Sequence, residues 1–295
     1  MGDDFCAPAG FLVIDRDSWS AMGRGRAPDV AVPPAGGPVG LDEWTAAYVP
    51  LAHIVGIHLD ARTDLNRRLV AAGLPGQGAG PCIIGVAGSV AAGKSTFAGT
   101  LAALLTARPE RPVVRVLSTD GFLRPTAALG DRAGFKGFPD TYDNDLFDAV
   151  LGRLAAGETG ITVPRYSHEL YDIVDPPIDL GAPDVVILEG VNALGHPADH
   201  CSIRIYLDAA EPDLRRWFVA RFLTLIDDAR SRPGSFFAQW TGLGDSEARS
   251  LAAAVWEAVN LVNLEEHILA TRWRADFVVR KGGDHQLDAV AVRSR

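Results

Sequence analysis

The chain has 295 residues, a formal net charge of -9, 47% hydrophobic residues and 22% charged residues. This composition is ordinary for a soluble globular protein and leaves room for one large domain or two small ones. The acidic balance disfavours a nucleic-acid partner, because backbone affinity comes from Lys and Arg, but it is compatible with a local positive pocket.

Residues 1–40 are rich in Gly, Pro and Ala, and Pro33 to Pro38 predict a turn-rich connector. Met1 to Asp4 carry no basic stretch and no apolar run reaches membrane-spanning length. A soluble, cytoplasmic protein with no membrane partner is therefore expected. Cys6, Cys82 and Cys201 are odd in number and lack short spacing, which argues against a disulfide framework or a zinc site. Cys82 and Cys201 each open an apolar run and read as core thiols.

Residues 41–73 predict a helix, with Trp44, Tyr48, Leu51, Ile54 and Leu59 at mixed helical spacing. Gly76 to Pro81 break the chain. Strands are then predicted at 82–87, 113–117, 185–188, 203–207 and 276–280. Helices are predicted at 94–105, 145–154, 211–229 and 246–267. Residues 287–292 alternate like a partly exposed edge strand. Apolar strands separated by helices predict an α/β fold with a mostly parallel central sheet covered on both faces. The expected organisation is an N-terminal extension over 1–40, partly irregular, and a single domain over 41–295.

Gly88, Ser89, Val90, Ala91, Ala92, Gly93, Lys94 and Ser95 fit G-x-x-x-x-G-K-[ST], with a strand before and a helix after. The two glycines permit backbone conformations that a Cβ would block. The amides then converge on phosphate oxygens at a helix N-terminus. Lys94 is expected to reach the β- and γ-phosphates of ATP, and the Ser95 hydroxyl to ligate Mg²⁺. Glu189 directly follows an apolar run, where a second metal contact belongs; a merely solvated carboxylate is the alternative. Asp120 follows the next strand, in Ser118-Thr119-Asp120-Gly121-Phe122. It can take an acceptor hydroxyl's proton there, or simply make an Asp-Gly turn. No guanine-specificity sequence follows Lys94, which counts against a GTPase.

Beyond these motifs the chain resembles the bacterial type I pantothenate kinases, within the P-loop kinase group that holds uridine kinase and phosphoribulokinase. The resemblance is carried by GSVAAGKST (88–96), STDGF (118–122), KGFPDTYD (136–143), YSHELYDIV (166–174), ILEGVN (187–192), RRWFVARF (215–222), VNLVNL (259–264) and RKGGDH (280–285). Asp15 to Trp19 and Tyr48 to Leu51 are weaker matches. It implies a P-loop kinase fold with an N-terminal helical extension. It implies ATP-dependent phosphorylation of pantothenate to 4′-phosphopantothenate, the first step of coenzyme A biosynthesis, by a homodimer. A nucleoside, a sugar or another alcohol is the alternative acceptor, and a nucleotide-binding scaffold with degenerate catalysis is the non-enzymatic one.

Carried over residue by residue, the resemblance makes Asp120 the general base and gives Lys94, Ser95, Thr96 and Glu189 to MgATP. It places Tyr166, His168 and Tyr171 around the acceptor, Arg221 on the phosphates and acceptor, Asn260 on pantothenate and His285 beside the adenine. On chemistry alone, Arg221 in an apolar helix face needs an anionic partner, either a phosphate or a surface carboxylate. Trp217, Phe218, Phe222, Phe236, Phe237 and Trp240 read as core packing, or as a lid that excludes water.

The chain departs from the family at several points. Phe218 and Phe236 stand where tyrosines are usual, and Leu225 where a phenylalanine is. Gly99 stands where an arginine commonly helps bind coenzyme A, the family's feedback inhibitor, so that inhibition is expected to be weak. Gly56 stands for an asparagine expected near the adenine. The region after Asn192 is shorter than usual.

Overall fold

The computed structural model describes residues 9–23, 39–75 and 80–294. Cys6 and the 33–38 turn signals lie outside the described residues. Strand β1 (Phe11–Asp15) runs into helix α1 (Arg16–Gly23). The short α2 (Leu41–Glu43) continues through a π-helical turn into the long α3 (Val49–Ala71). Strand β2 (Cys82–Gly88) leads into α4 (Lys94–Thr106), and β3 (Val114–Ser118) follows. A stretch holding only the short α5 (Thr126–Leu129) and 3₁₀ turns leads to α6 (Asn144–Ala155). The Asp143 side chain caps α6 by accepting from the Leu146 N–H at 3.0 Å.

Strands β4 (Thr162–Ser167) and β5 (Asp172–Asp179) form a separate two-stranded antiparallel sheet. After β6 (Val185–Glu189) and β7 (Ile203–Ala209) come α7 (Glu211–Ala229), α8 (Asp245–Val255) and, beyond a further π-turn, α9 (Leu261–Asn263). Strands β8 (Phe277–Lys281) and β9 (Leu287–Arg293) close the chain.

The main sheet has the order β1-β9-β8-β7-β2-β6-β3, with β3, β6, β2, β7 and β8 mutually parallel. Every residue of β2 and β6 is buried, as strands covered on both faces require. The C-terminal ends of the parallel strands therefore present Gly88, Ser118, Glu189, Ala209 and Lys281 along one rim. That rim is where open α/β sheets place their ligands.

Three readings need correction. Residues 287–292 do not form an edge: β9 pairs with β8 on one side and with β1 on the other. The 1–40 extension is not separate from the 41–295 domain, because its described residues contribute β1 to the main sheet and the fully buried Trp19 to the core. The β4–β5 hairpin has no counterpart among the predicted elements. Cys82 is a buried core thiol and Cys201 a half-buried one.

Trp19 also donates its indole N–H to the Ala47 carbonyl at 3.0 Å, joining α1 to the turn ahead of α3. Trp19→Ala is expected to lower the unfolding free energy by about 3–5 kcal/mol, from the lost contacts and the cavity left behind. Urea denaturation checks this, and an unchanged midpoint would separate the N-terminal segment from the cooperative unit.

Candidate active site

The turn from β2 to α4 is shaped by what its backbone allows. Gly88 sits at φ +148°, and a Cβ there would lie 2.5 Å from the Leu207 carbonyl oxygen, so no other residue fits. Gly93 takes φ +84° at the cap of α4. Ala91 takes φ 65° despite its Cβ, a left-handed conformation that costs about 1 kcal/mol. Ser89 and Ala92 are buried, Val90 and Ala91 are half-buried, and Ser95 and Thr96 open the helix on its exposed side. Turns of this kind aim successive N–H groups into one concavity, which suits phosphate.

Lys94 and Ser95 each meet a strand end. The Lys94 ammonium donates to the Ser89 carbonyl at 2.8 Å, folding back over the turn. The Ser95 hydroxyl donates to Glu189 Oε1 at 3.0 Å. Glu189 is only 6% exposed, so the solvated-carboxylate reading does not hold. Burial pushes the Glu189 carboxyl above its usual range, with Lys94 opposing and Asp120 reinforcing the rise. Burial pushes Lys94 down; Glu189 and Asp120 resist, and Arg221 adds to the fall. Two carboxylates and two cations therefore feel one another across a single small volume. A hydroxyl and a carboxylate oxygen side by side are hard donors of the kind Mg²⁺ takes.

Asp120 is the second residue of the 3₁₀ turn Thr119–Phe122 after β3, and its N–H donates to Ser118 Oγ at 3.3 Å. His168, at the tip of the β4–β5 hairpin, brings Nε2 to 4.0 Å from Asp120 Oδ2. Tyr166 packs edge-on against His168 and Tyr171, and Tyr171 stacks on Phe236 at 4.5 Å. Burial raises both phenols, Tyr171 to about 12, so both stay protonated at neutral pH and can donate hydrogen bonds. The Phe236 N–H donates to the Glu169 carbonyl at 2.8 Å, tying the hairpin tip to the 3₁₀ turn Phe236–Trp240.

That turn packs with α7 and α8 into a cluster of its own, built on Phe222, Ile226, Phe237 and Ala252. The aromatic stretch thus makes a small cap distinct from the main core. Leu225 and Phe236 pack into it, and Phe218 stands between it and the buried Trp256.

Arg221, one helical turn beyond Trp217 and Phe218, stands on the exposed side of α7 and not in its apolar face, and it forms no ion pair or hydrogen bond among the described residues. The surface salt-bridge reading therefore fails. Asn260 ends the π-turn Trp256–Asn260 half-buried, with no hydrogen bond to the other candidates. His285 stands apart at the far end of the rim, in the β8–β9 turn at φ 69°. Its ring is stacked on Trp217 at 3.9 Å. Four strand spacings, about 19 Å, separate the ends of β8 and β3. Burial, with Lys281 and Arg216 nearby, holds the His285 imidazole below its usual range and hence neutral.

Gly56 is not at the nucleotide end. A Cβ there would strike the Arg108 guanidinium, which pairs with Asp60 at 2.6 Å beyond the C-terminus of α4. That is about 20 Å along the helix from Lys94. The glycine is explained by this crossing arginine. Gly99 lies on the exposed face of α4 with open space beside it.

Two lysines escaped the sequence reading. Lys136 lies almost wholly buried, with its side chain 2% exposed, over the rings of Tyr166 and Tyr171. It donates to Thr126 Oγ1 at 2.7 Å and faces Asp172 at 3.6 Å. Its presence in the matched segment KGFPDTYD was the available signal. Lys281 is buried at the end of β8 and donates to the Ala92 carbonyl of the phosphate turn at 3.3 Å. Its place in the segment RKGGDH was the corresponding signal.

The model of the Phosphoribulokinase / Uridine kinase family matches residues 83–216, which span β2 to the first turns of α7. The turn, its lysine and both carboxylates fall inside that match, so the site is that of a P-loop kinase. The pantothenate kinase of Sorangium cellulosum is 44% identical over 86% of this chain and 86% of its own. That of Bradyrhizobium diazoefficiens is 42% identical over 86% of this chain and 84% of its own. The chain therefore belongs to the pantothenate kinase family. Among solved structures, D-glycerate 3-kinase from Cryptococcus neoformans superposes with a TM-score of 0.52 at 13% identity, covering 80% of this chain and 98% of that one. That likeness concerns the fold alone.

Proposed function

We propose that this protein transfers the γ-phosphoryl group of ATP to the terminal hydroxyl of pantothenate, giving 4′-phosphopantothenate. The observation that carries the reading is the convergence of Lys94, Glu189, Asp120 and Arg221 on one end of the sheet. The relatives' names supply the acceptor.

The triphosphate lies in the concavity of residues 88–96, with Lys94 on its β- and γ-oxygens and the base toward His285. Ser95 and Glu189 are the residues to hold Mg²⁺, which when bound neutralises charge on those oxygens. Asp120 orients the acceptor hydroxyl and takes its proton as the oxygen attacks in line. Lys94 and Arg221 hold the charge that spreads over the transferring group. His168 beside Asp120, the donating phenols of Tyr166 and Tyr171, and Asn260 bind the acceptor. The cap over them excludes water, the competing acceptor. The reading includes a cytoplasmic homodimer, which sedimentation of the purified protein tests.

A panel of pantothenate, a ribonucleoside and a hexose, each with MgATP, tests the acceptor. Turnover of pantothenate is expected, and turnover of the nucleoside without pantothenate would reverse the assignment. Because Gly99 offers no cation, coenzyme A is expected to inhibit weakly. Gly99→Arg should tighten inhibition by about tenfold, the worth of one charge-assisted hydrogen bond. Initial rates against coenzyme A at low ATP read both outcomes, and strong inhibition of the unsubstituted enzyme would refute the argument.

A further inference from the structure

Tyr171 ends the turn 168–171 between β4 and β5, in a conformation that its side chain disfavours. Its φ is 56°, in the left-handed region, where bulky residues are rare because the Cβ crowds the backbone. Burial, and after it the Asp120 carboxylate, raises its phenol, so the ring lies within the field of the proposed base. Strained backbone of this kind persists only where its surroundings over-determine it. Here the surroundings are Thr126, Lys136 and Asp172.

The Tyr171 carbonyl accepts from the Lys136 ammonium and from the Thr126 hydroxyl, the latter at 3.3 Å. One residue on, Asp172 Oδ1 accepts from the Thr126 N–H at 3.0 Å and from the Ile173 N–H at 2.9 Å. The same oxygen faces Lys136 Nζ at 3.6 Å, and that lysine side chain is only 2% exposed. A single carboxylate oxygen thus gathers the start of α5, the start of β5 and the lysine that holds the Tyr171 carbonyl. Lys136 also lies 5.3 Å from the ring centre of Tyr166 and 4.9 Å from that of Tyr171. The backbone of Tyr171 and both aromatic rings of the acceptor wall are therefore tied to one knot, with Asp172 at its centre.

We propose that Asp172 is a positioning residue of the acceptor site: through the hydrogen bonds it accepts, it holds Tyr171 in the left-handed conformation and so sets the phenol toward the acceptor. This rests on the acceptor reading above. Asp172 acts through Tyr171 and not on the acceptor itself, and the sign of its effect separates the two roles. Pantothenate is an anion, so a nearby carboxylate that only faced it would repel it, and removing that charge would tighten binding. Removing a clamp on the wall weakens binding instead.

The test is steady-state kinetics of the full chain, with pantothenate and MgATP varied in turn. Asp172→Ala deletes the accepting oxygen and should raise the KM for pantothenate by about tenfold or more, the worth of one hydrogen bond to a charged group. The KM for ATP should not move with it. Asp172→Asn keeps an accepting oxygen and loses the charge, and should restore most of the lost affinity. If Asp172→Ala does not fold, Thr126→Val, which takes the hydroxyl from the Tyr171 carbonyl, should raise the same KM. An unchanged or lower KM for pantothenate in Asp172→Ala would overturn the proposal. So would an equal rise in the alanine and asparagine variants, or a parallel rise in the KM for ATP. Should the unsubstituted enzyme phosphorylate another alcohol and not pantothenate, the acceptor assignment fails, and the same ratios measured on that alcohol decide the role of Asp172.

Discussion

Asp120→Asn is expected to lower kcat for pantothenate phosphorylation by about 10²–10⁴-fold, the range that a positioned general base contributes. ATP binding should survive, because Asp120 sits at the end of β3 while the phosphate turn leaves β2, with β6 between them. The substitution keeps the shape of the side chain and removes its ability to accept a proton. Calorimetric ATP affinity beside steady-state kcat separates the two effects. A variant retaining kcat within a few-fold would remove Asp120 from the chemistry. It would leave the carboxylate a role in holding His168, 4.0 Å away.

Arg221→Ala is expected to cost about 10³-fold in kcat, the lower end of what an arginine supplies to a transferring phosphoryl group. Its guanidinium makes no ion pair among the described residues, yet it lowers the proton affinity of Lys94. Arg221 is exposed and solvated, so it is free to turn toward an arriving phosphate that Lys94 also meets. Arg221→Lys should recover only part of the loss, since an ammonium lacks the planar fork that grips two phosphate oxygens. The readout is kcat against the KM for ATP. A fall confined to KM would make Arg221 a binding group with no added hold on the transition state.

The phosphate turn was legible because its chemistry is local: each position of 88–95 needs its residue for a reason contained in those residues. The parallel strands were legible because burial on both faces leaves continuous apolar runs. The hairpin was not, because Pro176 and Pro177 interrupt β5 and prolines argue against a strand. Strand β1 is five residues long and neighbours a Gly- and Pro-rich stretch, so composition outweighed its pattern. Glu189 could be singled out by its place after a strand. Its bond to Ser95, 94 positions away, is a product of the β2–β6 register. Lys136 and Lys281 carry no local signature, since a buried lysine and a surface one look alike in sequence. Gly56 shows the converse error, in which a family position suggested a nucleotide contact where packing against Arg108 governs.

The cluster built on Phe222, Phe237 and Ala252 has its own apolar centre, and among the described residues only Phe218 is packed against both it and the main core. Such a unit loosens with a free energy of its own, below that of global unfolding. Amides of α8 should therefore exchange sooner than those of β2. Product can then leave while the phosphate turn stays rigid. Release rate and thermal resistance thus belong to different parts of the molecule, and substitutions in the cap can retune one without moving the other.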